Sequence, residues 1–169
     1  MQQSMTSVDG DQFRDVISNL ISGVSVITTQ RGDERFGVTV SSVTSLSLDP
    51  ASILVCLNRR LSITDIISET GVFAVNILGQ EHGDLATQFA VRHEDKFRGT
   101  TVRTDGLGNP VLDEALAHLE CRLEARSDFG THAIFIAVIE SASSRSGAPL
   151  AYFRSTFGGF QRETEAASA

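Results

Sequence analysis

The stretch that most limits what this chain can fold into runs from Gly37 to Ser62. Residues 37–48 alternate β-branched or apolar side chains with Ser and Thr, the pattern of a half-buried strand. Asp49-Pro50 then turns the chain. Ser52 to Leu57 is a short apolar run, suited to a strand buried on both faces. It ends on Asn58-Arg59-Arg60-Leu61-Ser62, immediately before a helical pattern. Two neighbouring strands rich in hydroxyls, feeding a polar and basic helix entry, form a candidate anion site. Ser and Thr side chains, free backbone N–H groups and the positive helix end can all face a phosphate. The same residues also suit a solvated strand face followed by an ordinary helix cap, and pattern alone leaves both readings open.

The rest of the chain sets this stretch in a mainly β fold. Asp11 to Ser22 places Phe13, Val16, Ile17, Leu20 and Ile21 on one apolar stripe, which predicts a helix started by Asp9 or Asp11 and ended by Gly23. Val24 to Gln30 reads as a strand, and Arg31 to Glu34 as a turn. Ile63 to Thr70 predicts a short helix with Ile63, Ile66 and Ile67 inward. Val72 to Leu78 is a strand, and Glu81 to Val91 a second amphipathic helix with Leu85 and Phe89 inward. Residues 92–109 hold no sustained period and read as a long irregular connection, a common place for function. His118 to Arg126 alternates strictly, with His118 on the outward face. A turn through Gly130, an apolar strand His132 to Ile139, a polar loop Ser141 to Ala148 and a last strand Leu150 to Arg154 complete the chain. Many strands, three short helices and little β-α-β alternation argue for an antiparallel barrel with helical decoration. A single domain over residues 11–160, between flexible tails at 1–10 and 161–169, is the simplest division.

Composition narrows the functional classes. A 169-residue chain buries about 70% of its unfolded surface, enough for a core. The formal net charge of −7 argues against nucleic acid as a partner and gives no pull towards anionic membranes. No apolar run approaches the roughly 20 residues that span a bilayer, and the first ten residues hold no apolar signal core. The cytoplasm is the expected location. Cys56 and Cys121 sit in strand patterns without CxxC spacing and read as buried free thiols.

Candidate catalytic groups are few. The four histidines, His82, His93, His118 and His132, share no metal-ligand spacing. His82 and His118 are expected at the surface, and His93 lies in the charged connection. His132 follows Gly130-Thr131 and leads an apolar strand, so its ring is placed against a cavity or satisfied structurally. No GxSxG, no activated cysteine and no paired carboxylates stand out. The absence of GxGxxG argues against a Rossmann dinucleotide fold. Beside Asn58 and Ser62, the guanidinium groups of Arg59-Arg60 suit phosphate oxygens.

Several segments, in this order and spacing, resemble the short-chain flavin reductases, the FMN-binding split-barrel proteins that serve two-component flavin monooxygenases. They are Phe13-Arg14, VSVITT at 24–29, GVTVSSV at 37–43, LVCLNR at 54–59, FAVNIL at 73–78, Asp95-Lys96-Phe97, Gly130-Thr131-His132 and LAYFR at 150–154. The resemblance implies a mainly β chain with helices, folded as an antiparallel split β-barrel of the FMN-binding type, and a homodimer with a flavin groove near its interface. It implies that Thr39, Val40, Ser41 and Ser42 run along the isoalloxazine and ribityl chain. Cys56, Leu57, Asn58, Arg59 and Ser62 then take the far side and the phosphate, with Phe89 and Lys96 completing the pocket. His132 falls on the nicotinamide side, with Tyr152 as its companion; these two are the implied catalytic residues. The implied activity is NAD(P)H:flavin oxidoreduction, with FMN or FAD as flavin and NADH, or NADPH, as co-substrate. Reduced flavin would pass to a partner monooxygenase. Arg60 and Thr64 depart from the family's usual small and aromatic residues, which leaves FMN and FAD both open. A flavin-holding electron carrier or flavin store on the same barrel is the alternative. Hydride transfer is the cofactor's own chemistry, so a site without an acid/base dyad agrees with the resemblance.

Overall fold

The computed structural model describes residues 8–92 and 95–161. Its centre is a seven-stranded sheet in the order β3-β2-β6-β9-β10-β5-β4. In chain order these strands are β2 (Ser25–Arg31), β3 (Glu34–Val40), β4 (Val43–Leu48), β5 (Ala51–Asn58), β6 (Val72–Ile77), β9 (Ala117–Phe129) and β10 (His132–Ser144). Every pairing in it is antiparallel. A small sheet joins β1 (Ser22–Gly23), β11 (Leu150–Phe153) and β12 (Thr156–Gly159), and β7 (Val102–Thr104) pairs with β8 (Pro110–Leu112). Helices α1 (Gly10–Ile17), α2 (Ser62–Thr70) and α3 (Gly83–Ala90) decorate the sheet, the last preceded by a 3-10 turn at Gln80–His82.

The hydrophobic effect gathers two cores on opposite faces of β2. Ile27 joins Val38, Val55, Leu57, Phe73 and Phe135 with Ile63 and Ile67 of α2. Val24 and Val26 join Leu78, Leu85, Phe89 and Leu112 under α3 and β8. Strand β2 is therefore buried on both sides, which explains its β-branched run.

A buried polar network fixes β8 against the sheet. Asn76 is fully buried. Its Nδ2 donates to the Val26 carbonyl and to Thr28 Oγ1, both at 3.0 Å, and its Oδ1 accepts from the Leu112 N–H at 2.8 Å. Thr28 donates to the Pro110 carbonyl. His118 Nε2 lies 2.6 Å from the Leu112 carbonyl and so carries the proton. In an apolar setting each of these groups needs its partner.

Several sequence expectations change here. The alternating run at 37–48 is two strands, because Ser41-Ser42 leave β3 and join a different partner. The Ser42 carbonyl accepts from the Cys56 N–H at 3.1 Å. Period-2 alternation continues through such a switch and cannot reveal it. Helix α1 stops at Ile17, capped by Asp9 Oδ2 at its start, and its apolar stripe is exposed. His82 and His118 are buried, not superficial. Each finds a backbone partner that a sequence pattern does not display; His82 Nδ1 accepts from the Gly79 N–H at 3.1 Å. The first half of the expected polar loop at 141–148 is strand, since β10 runs on to Ser144. The irregular connection contains the short strand β7. Most of both terminal tails, and His93, lie outside the described residues. Both cysteines are free; Cys121 is buried and Cys56 half-buried.

Candidate functional site

The site is built around the junction of β5 with α2. Asn58 organises that turn: its Oδ1 accepts from the Arg60 N–H at 3.0 Å. Its carbonyl accepts from the Leu61 N–H at 3.1 Å and from Thr64 Oγ1 at 2.9 Å. Asn58 thus shapes the loop before the helix and is not its cap. Position N-cap falls to Leu61, which makes no side-chain cap bond, and Ser62 is the first helical residue. The first turn of α2 keeps backbone N–H groups facing outward, where positive helix potential is greatest.

The β9–β10 hairpin is tied to this junction. Its loop is only Gly130-Thr131, and Gly130 has φ 56°, a left-handed conformation that glycine adopts without steric cost. The tight turn places His132 directly opposite Asn58 on β5. The Arg59 N–H donates to the Thr131 carbonyl at 3.0 Å. His132 is exposed, with Nδ1 2.9 Å from Thr131 Oγ1, so among the described residues its ring is neither enclosed in a cavity nor buried.

Charges around the hairpin are shared. Asp128 accepts from Arg126 Nε at 2.9 Å and pairs with Arg59 Nε at 3.1 Å. The Arg126 hydrogen bond, and then the charges of Arg126 and Arg59, hold the Asp128 carboxyl below the usual carboxylate range. Arg59, Arg60, Asp65, Arg126, Gly130 and Thr131 line a recess of about 500 Å³. A larger cleft of about 930 Å³ lies on the other side of Arg60, between β3, the start of α2 and the segment from Asp95 to Phe97.

The structure brings together most of the implied residues. Ser41, Ser42, half-buried Cys56, Asn58, Arg59, Ser62 and His132 gather where β4, β5, α2 and β10 meet. Ser42 Oγ donates to the Cys56 carbonyl at 2.7 Å. Burial pushes the Cys56 thiol up, so it stays neutral and acts as a small apolar surface. Val40 is half-buried against the first core. Thr39 Oγ1 donates to the Ala86 carbonyl at 2.6 Å, so its hydroxyl anchors α3. Leu57 and Phe89 are 1% and 0% exposed, and their side chains back the site from within the two cores without reaching its surface. Lys96 is engaged too: its Nζ donates to the carbonyls of Phe89 at 2.9 Å and Gly37 at 3.2 Å. Burial lowers the Lys96 pKa. Lys96 and Ser62 line the larger cleft. Tyr152 belongs to the second core, against Phe157 at 5.6 Å between ring centroids. No contact joins it to His132 among the described residues.

The residues present fit a phosphorylated, largely planar ligand. Ser41 and Ser62 are exposed, and among the described residues their hydroxyls have no partner. Edge strands β3 and β4 each pair on one side only, so backbone donors beside the Ser41-Ser42 break can approach a ring edge. Of the residues that line the cleft, Arg60 and Phe97 stood out in the sequence, in the Arg59-Arg60 pair and the Asp95-Lys96-Phe97 segment; Arg35, Arg92 and Phe36 carried no signal of their own, since isolated Arg and Phe residues along a strand or loop look unremarkable.

Comparison with known proteins agrees with this geometry. The family described as flavin reductase like domain matches residues 17–161. The reductase component of 4-nitrophenol 4-monooxygenase/4-nitrocatechol 2-monooxygenase of Rhodococcus opacus is 39% identical over 159 residues, covering 94% of this chain and 85% of that protein. An NADH-dependent FMN reductase of Streptomyces nodosus subsp. asukaensis is 35% identical over 152 residues, covering 86% and 82%. The NADH:FAD oxidoreductase of Streptomyces globisporus, solved with NAD and FAD fragments, superposes with a TM-score of 0.88 at 27% identity, covering 95% of this chain and 99% of that one. With its sheet order, its β5–α2 junction and a match over residues 17–161, this chain belongs to the flavin reductase like family.

Proposed function

We infer that this protein is an NAD(P)H:flavin oxidoreductase that supplies reduced flavin to a separate monooxygenase. The observation that carries this reading is the meeting of free serine hydroxyls, the open start of α2 and the Gly130-Thr131-His132 hairpin on one face. The names of relatives support it: one is the reductase component of a monooxygenase, another an NADH-dependent FMN reductase. A bound flavin, FMN or FAD, would supply the two-electron acceptor for hydride from a reduced nicotinamide.

The chain's own residues bind and orient. Ser62 and the first N–H groups of α2 hold phosphate, with Asn58 and Arg59 setting the loop that presents them. Ser41, Ser42 and Val40 flank the ring, and Cys56 contributes a neutral surface beneath it. His132 orients the nicotinamide from the hairpin, with Tyr152 a more distant contributor. A site of neutral hydroxyls gives modest affinity, which suits a flavin that leaves after reduction.

Finer features of the architecture follow from geometry. A flat sheet of seven strands would part its edges by about 29 Å. Yet β3 and β4, the two edges, are joined by only Ser41-Ser42, a reach of about 11 Å. This supports closure into a split barrel around the first core. The exposed stripe of Phe13, Val16, Ile17, Leu20 and Ile21 supports a homodimer, since a second copy removes such a patch from water. The cytoplasm, where reduced nicotinamide is made, is the proposed location; none of the described helices is long and apolar enough to cross a membrane.

Oxidation of NADH and NADPH by purified protein, followed by absorbance with and without FMN or FAD, tests the reading. Flavin-dependent oxidation is expected. Background rates with both flavins, alongside tight retention of flavin on gel filtration, would favour an electron-carrier role instead.

A further inference from the structure

The larger of the two concavities beside Arg60 lies beyond the face assigned to the flavin ring. The cleft of about 930 Å³ starts at Arg60 and Ser62 and runs along β3 from Glu34 to Val38. The ring face follows further along the same path, at Val40 to Ser42. From Arg35 to Ser41 is about 20 Å at strand spacing, much longer than a mononucleotide phosphate tail requires.

Its charges are unusual for this molecule. The chain has a net charge of −7, and most of its described arginines are held by ion pairs or hydrogen bonds, as Arg59 and Arg126 are. Among the described residues, the guanidinium groups of Arg35, Arg60, Arg92 and Arg98 make neither. Three of these, Arg35, Arg60 and Arg92, line this cleft. Its acids are Asp33, Asp95 and Glu34, the last paired with Arg31 at 3.5 Å. Unpaired guanidinium groups clustered in a cleft await an anion, and phosphate suits their planar fork. Half-buried Phe36 and Phe97 add aromatic surface on which a base can pack. Arg60 lines both this cleft and the recess beside Thr131, so an anion on Arg60 sits between the two halves of a long ligand.

Resting on the flavin reductase reading, we propose that the cleft takes the adenylate half of flavin adenine dinucleotide, with Arg60 on the second phosphate, and that this chain selects FAD over FMN. FMN ends at the phosphate held near Ser62. FAD continues through a second phosphate, ribose and adenine into the cleft. The adenylate of NADH offers the same chemistry, and the experiment separates the two.

Titration calorimetry of the flavin-free protein with FAD, FMN and AMP tests this, together with the KM for NADH. The wild type binds FAD at least about tenfold tighter than FMN, and AMP competes with FAD without displacing FMN. Arg60→Ala weakens FAD about tenfold and FMN less than about twofold, and Arg35→Ala acts in the same direction. Equal affinity of the wild type for both flavins overturns the proposal, as does equal loss for both in Arg60→Ala, which would put Arg60 on the phosphate common to both. A raised KM for NADH with unchanged FAD affinity assigns the cleft to the nicotinamide nucleotide and also overturns it. If the wild type binds neither flavin, the reductase reading itself fails.

Discussion

At the scale of single residues, the proposed function assigns flavin binding to Ser62 and nicotinamide positioning to His132. Ser62 opens α2 and His132 leads β10, on opposite sides of Asn58. Ser62→Ala is expected to weaken flavin binding by about 1 kcal/mol, the worth of one hydrogen bond, with the rate at saturating flavin preserved. His132→Ala is expected to slow reduction by NADH about tenfold or more while flavin affinity holds, because orientation of the nicotinamide is lost. Flavin titrations and single-turnover reduction separate the two; equal loss of flavin affinity in both variants would contradict the division. Cys121 gives a pH prediction. Burial, then the charges of Asp105 and Glu120, push its thiol from 9.0 up to about 12. The folded state therefore keeps a proton that the unfolded chain releases. The stabilisation is complete below pH 9.0 and is lost as pH rises towards 12, by up to about 1.4 kcal/mol per pH unit. Urea unfolding at pH 8 and pH 10 should show this fall in the wild type and a smaller one in Cys121→Ala.

At the scale of elements, polar groups hold together what apolar pattern only suggests. Asn76 sits in the apolar run VFAVNIL yet bridges β2, β6 and β8 through three hydrogen bonds. Asn76→Ala leaves the Leu112 N–H and Thr28 buried without that partner, and is expected to cost about 2–3 kcal/mol. Chemical denaturation measures it; a loss near zero would mean that water replaces the side chain. The same logic explains His82 and His118, whose burial depends on the carbonyl or amide that tertiary packing delivers. The β9–β10 hairpin was visible as two strands with a glycine turn. Its length was not, because 13-residue strands with polar outer ends look like loops once the apolar alternation fades.

At the scale of the whole molecule, α1 is the element least explained by one chain. Its cap and periodicity are those of a stable amphipathic helix, yet Phe13 and Val16 remain 58% and 64% exposed. Replacing Phe13 and Ile17 together by Ser is expected to shift the protein to monomer in sedimentation velocity, with Tm losing its dependence on concentration. A wild type that is monomeric at every concentration would remove the homodimer reading.

The sequence by itself determined the local grammar. Strand and helix periods, the Asp9 cap, the turn glycine at 130 and the order of segments that marks the family all depend on neighbours in the chain. Tertiary structure decided what depends on distant partners. It split the run at Ser41-Ser42 between two sheet edges and took Leu57 and Phe89 into the cores. It turned Lys96 onto two carbonyls and left Arg35, Arg60 and Arg92 unpaired around one cleft. Pairing and burial are properties of surfaces meeting in space, and a one-dimensional pattern carries the propensity to form a surface without naming the surface it will meet.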